Sequence, residues 1–107
     1  MNRTARILRI VLLLLLAAGT ARAQEHAAYE GLPVSEVVVH GLETTDRDVV
    51  LRRMDLREGI PFERATARRD ERAITALGFF WSVRVEPEGS APPDSVRVHV
   101  RLKERFA

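Results

Sequence analysis

Val96-Arg97-Val98-His99-Val100-Arg101-Leu102-Lys103 alternates apolar and polar residues without a break. A period of two puts Val96, Val98, Val100 and Leu102 on one face of a strand and Arg97, His99, Arg101 and Lys103 on the other. One side is buried and the other wet, as in a sheet covered on a single face. Ser82-Val83-Arg84-Val85-Glu86 repeats the pattern, and residues 88–94, with Gly89, Pro92 and Pro93, read as the hairpin loop between the two. Upstream, Val34-Ser35-Glu36-Val37-Val38-Val39-His40 is short, rich in valine and closed by Gly41. It reads as a third strand, with Val37 and Val39 inward and Val38 and His40 outward.

The chain between the first strand and the hairpin is helical in character. Thr45 is placed to cap a helix of two to three turns, with Asp46 and Asp48 at the positive end of its dipole. Val49, Val50 and Met54 form its apolar face, and Gly59 and Pro61 stop it. Residues 63–77 are rich in Ala, Arg and Glu, lack internal Gly or Pro, and end at Gly78, which suits a left-handed cap. Ala73, Ile74 and Leu77 are the inward candidates of this second helix. Arg64, Arg68, Arg69, Asp70, Glu71 and Arg72 read as a solvated face. Strand, helix, helix, strand, strand, with one apolar face per strand, predicts an α+β two-layer sandwich.

The N-terminus has a different composition. Arg3, Arg6 and Arg9 precede an apolar run over residues 10–18, and Thr20-Ala21-Arg22-Ala23 supplies a small-residue end. This is the plan of a secretory signal peptide over residues 1–23, cut between Ala23 and Gln24. The run is shorter than the roughly 20 apolar residues of a spanning helix, so a retained anchor is the lesser reading. Residues 24–33 read as a flexible lead and 34–105 as the domain. Four of the 17 Lys and Arg fall in the leader while all 15 Asp and Glu follow it, so the mature part is net −2. The basic excess belongs to the export signal, and nucleic-acid binding loses its support. No cysteine is present, so packing alone must hold roughly 84 residues together.

At four places the mature sequence resembles the POTRA (polypeptide-transport-associated) domain of outer-membrane protein assembly factors and the surface antigen family. Val37-x-Val39-x-Gly41-Leu42 is similar to its opening strand, and Leu56-Arg57-Glu58-Gly59-Ile60-Pro61-Phe62 to its inter-helix turn. Leu77-Gly78-Phe79-Phe80-Trp81-Ser82-Val83-Arg84-Val85 is similar to its entry into the second strand, and Val98-x-Val100-x-Leu102-Lys103-Glu104-Arg105 to its closing strand. The resemblance implies a three-stranded mixed sheet, last strand central, covered on one face by two antiparallel helices. It also implies an exported protein at the periplasmic face of a Gram-negative outer membrane. There it would recognise or scaffold unfolded or nascent outer-membrane polypeptides, near the membrane through barrel or assembly-complex subunits. Two alternatives go with it: a spacer that never touches clients, and a division-type protein with a retained N-terminal anchor. Such domains usually come in tandem or precede a β-barrel.

With the last strand central, Phe80-Trp81-Ser82-Val83-Arg84-Val85-Glu86 lies at the sheet margin, where an extended client can add as a strand. Arg84 and Glu86 are the residues that would protect an ordinary edge, and proline at Arg84 is expected to remove a backbone donor or bend the edge. Strand parity turns Trp81 inward with Val83 and Val85, whereas the family pattern turns Phe80 inward and Trp81 outward. Arg64, Arg68, Arg69 and Arg72 form the densest basic patch, available to acidic lipid head groups or a partner subunit. His40 and His99 fall on neighbouring strands, but no third ligand has matching spacing, so no metal or cofactor is expected. No cysteine nucleophile, Gly-x-Ser-x-Gly elbow or phosphate-cradling loop is present, and Asp70 and Glu71 diverge as neighbours on a helix. No enzymatic activity is expected.

Overall fold

A computed structural model describes residues 27–90 and 94–106. The proposed signal peptide and its cleavage site lie outside the described residues, as do Pro92 and Pro93. The elements are β1 (Val34–His40), α1 (Arg47–Leu51), α2 (Arg64–Thr75), β2 (Phe80–Ser90) and β3 (Ser95–Glu104). The sheet order is β1-β3-β2, with β1 parallel and β2 antiparallel to β3. The fold is thus α+β, a three-stranded mixed sheet with two helices, and the last strand is central.

The alternation of β3 decides which way the sheet faces. Val96, Val98 and Val100 are fully buried and Leu102 nearly so, beneath Val50, Met54, Leu56, Phe62 and Ile74 from the helical layer. Val37 and Val39 pack against this core from β1, and Val85 and Phe80 from β2. Burying side chains of this size contributes roughly 1.5–3 kcal/mol each, which is how a domain without disulfides holds together.

Several expectations are corrected. The first helix is capped by Asp46, whose side chain accepts from the Asp48 N–H, and not by Thr45, whose own N–H is taken by Glu104. It spans only 5 residues, since the chain leaves helical geometry after Arg52 to drive Met54 and Leu56 into the core. Asp70 is buried, contrary to its placement on a solvated face. β2 runs on to Ser90, past Pro87 and Gly89 and through the start of the expected loop. The lead is tied down from its latter half: the Gly31 N–H donates to the Phe62 carbonyl, the Phe62 N–H donates to the Leu32 carbonyl, and Tyr29 packs on the core. Glu30 also caps α2, its carboxylate accepting from the Arg64 N–H at 2.6 Å, which Glu63 does not supply for its own helix.

Candidate functional site

With β3 central, β2 is one margin of the sheet, and its backbone polarity follows from a single hydrogen bond. The Val85 N–H donates to the Glu71 carboxylate at 2.9 Å, away from β3. Antiparallel pairing alternates, so Val83, Val85 and Pro87 present their outer sides to the margin while Ser82, Arg84 and Glu86 bond to β3. Pro87 is tolerated in the strand for this reason, because its missing N–H falls on the outside. The Arg84 N–H thus faces β3, where proline would interrupt the ladder, and Val83 carries the outward donor.

The margin is unevenly protected. Around Val85 and Pro87 it is closed, by the Glu71 side chain and by the imide. Around Trp81 and Val83 it is open. A register shift between Phe80 and Ser82 turns Phe80 into the core, 6% exposed, and leaves Trp81 65% exposed. That irregularity resolves the two sequence readings of Trp81 in favour of the outward one, since simple parity fails across it. The Arg105 guanidinium sits 4.4 Å from the Trp81 ring centre, and Phe79 and Phe106 are exposed beside the same end of the sheet.

The basic patch is divided. Arg64, Arg68 and Arg72 line one recess along α2, exposed and without an ion pair among the described residues. Arg69 points elsewhere and pairs with Asp55. On the open face, Arg97 bridges Glu36 and Glu88, and Glu86 takes both Arg84 and Arg101, exposed pairs that add little stability. His40 Nε2 and His99 Nδ1 are hydrogen-bonded at 2.9 Å, and His99 Nε2 lies 3.3 Å from Glu88. No group of three or more His, Cys, Asp or Glu suited to a metal occurs among the described residues.

Besides Glu71, two more carboxylates hold backbone donors that no sequence pattern marks. Glu104 ends β3, buried, and accepts from the N–H groups of Glu43, Thr44 and Thr45, at 2.8 Å from the last, and from the Thr44 hydroxyl. These donors, the Thr45 N–H foremost, hold its carboxyl at about 2 instead of the usual 4.5. A lowered native pKa means stability present above pH 4.5 and lost as pH falls toward about 2. Glu104→Gln is expected to flatten the acid limb of stability in that window, measured by urea unfolding across pH. An unchanged limb would show that the carboxylate does not hold the loop. Asp70 shifts the other way: burial raises its carboxyl, against the Leu56 N–H and the Arg69 and Arg57 charges, so acidification favours the native state through this group.

The POTRA family, described as surface antigen variable number repeat, matches residues 32–105. The chain belongs to the POTRA family. Among solved structures, this POTRA domain is similar to the N-terminal domain of Omp85 from Thermosynechococcus elongatus. The identity there is 28% with a TM-score of 0.66, over 70% of this chain and 35% of that one. It is also similar to POTRA1-2 of the periplasmic domain of Omp85 from Anabaena, at 27% identity and TM-score 0.60, over 68% and 47%. BamA POTRA3-5 from Haemophilus influenzae shares the fold at 20% identity and TM-score 0.63, over 68% and 29%. The chain therefore spans less than half the length of each of these structures. No curated protein matches it.

Proposed function

We propose that this POTRA domain is a non-enzymatic polypeptide-binding module of the periplasm, exported by residues 1–23 and acting in outer-membrane protein assembly or secretion. Extended or nascent outer-membrane polypeptides dock as an added strand on the β2 margin, within Phe80, Trp81, Ser82, Val83, Arg84, Val85 and Glu86. Barrel or assembly-complex subunits are the standing partners. The observation that carries this is the open stretch at Trp81 and Val83, where an exposed aromatic adjoins an outward backbone donor. Main-chain hydrogen bonds give affinity that tolerates many client sequences.

A photo-crosslinker at residue 81 is expected to capture extended client peptides, and one at Val38, on the opposite edge strand, to stay silent. Val83→Pro removes the outward donor without breaking the β3 ladder and is expected to cut peptide affinity about tenfold while leaving the fold intact. Unchanged binding in a folded Val83→Pro protein would sink the docking site. The second reading is a spacer that docks without client contact, and the closure of the margin at Val85 and Pro87 favours it. Crosslinks to assembly subunits alone, and none to clients, would support that reading.

A further inference from the structure

Glu71, expected on a solvated helix face, reaches with its carboxylate across to the sheet margin. The Val85 N–H it occupies is the donor that an added strand would use next after Val83. One donor cannot serve both. We propose that Glu71 is a built-in competitor for polypeptide binding, a latch that occupies the β2 edge until an incoming strand displaces it. This deepens the strand-addition reading and rests on it.

The surroundings supply what a displaceable side chain needs. Between α2 and the margin lies a groove of about 240 Å³ floored by Phe62, Ala67, Val85 and Pro87, with Arg64 and Arg68 at its rim. Arg68 stands three residues before Glu71, one helical turn away on the same side, and is exposed without an ion pair among the described residues. A carboxylate that leaves the Val85 N–H therefore stays near a free guanidinium, which lowers the cost of displacement. The Val85 N–H passes from the carboxylate to a carbonyl of the incoming strand and is never left unpartnered. Pro87 then sets the limit of pairing, since it offers no donor beyond. With the latch closed, pairing stops at Val83; with it open, it extends to Val85.

The test is a titration of the full mature chain with an alternating Val/Thr peptide of about ten residues, read by amide NMR and by fluorescence. Glu71→Ala is expected to bind the peptide about five- to tenfold more tightly, the equivalent of one charge-assisted hydrogen bond of competition. Arg68→Ala is expected to weaken binding by a smaller factor. In the unaltered chain, binding should move the Val85 amide and the Glu71 side-chain signals together, a readout that holds even if Glu71→Ala folds poorly. Equal affinity in Glu71→Ala, or a Val85 amide that stays still while the peptide binds, would overturn the latch and leave strand addition standing. No binding by either protein would remove both.

Discussion

Asp70→Ala is expected to cost about 2–4 kcal/mol, a large share of the stability of a domain this small. The Asp70 side chain, 1% exposed, accepts from the N–H groups of Asp55 and Leu56 at 2.9 and 3.0 Å. Those two donors lie where the chain has left α1 and has no helical or sheet partner for them. Alanine would leave the buried Leu56 N–H unsatisfied and loosen the segment that places Met54 and Leu56 in the core. Asparagine would keep one acceptor but turn its amide toward the second donor, so Asp70→Asn should fall between. Urea unfolding followed by circular dichroism checks both, and a loss below about 0.5 kcal/mol for alanine would show that the segment is held by other contacts.

Gly41→Ala carries the other large effect, about 3 kcal/mol or more. Gly41 leaves β1 at φ 92°, and a Cβ there would lie 1.9 Å from the carbonyl oxygen of Leu102. The neighbour is backbone of the central strand and has nowhere to retreat. Gly31 provides the control: its φ is 82°, but nothing lies within 4 Å of a Cβ added to it. Gly31→Ala should therefore cost only the left-handed backbone term, about 1–2 kcal/mol. Thermal melts of the two variants separate strain from collision. Equal losses would mean that β1 and β3 do not approach this closely.

Strand parity carried most of the fold. The alternation from Val96 to Lys103 is strong because β3 is central and has a neighbour on each side, with one face packed and the other exposed. The end of β2 was harder to read: Pro87 and Gly89 look like loop residues, and only an edge strand accepts them. Helical spacing of Val49, Val50 and Met54 overstates the first helix, because Met54 reaches the core from a turn beyond its end. Asp70, Glu71 and Glu104 were invisible as structural acceptors, since their partners are backbone N–H groups 14 to 61 positions away in sequence. No local pattern marks such a carboxylate. Glu104 falls within the closing-strand stretch that resembles the family, where the sequence shows its place but not its reason. The reason is the loop of three N–H groups that it gathers.

The place of β3 in the chain order has a kinetic consequence. Both outer strands complete their ladders only with the last strand, so β1 beyond Val34, which already bonds to Gly59 and Ile60, waits for residues about 60 positions downstream. A polypeptide delivered N-terminus first has only the bonds between residues 31–34 and 59–62 to hold its first strand until Ser95–Glu104 emerges. Until then it stays pliant and threadable, and the whole sheet assembles in one late step.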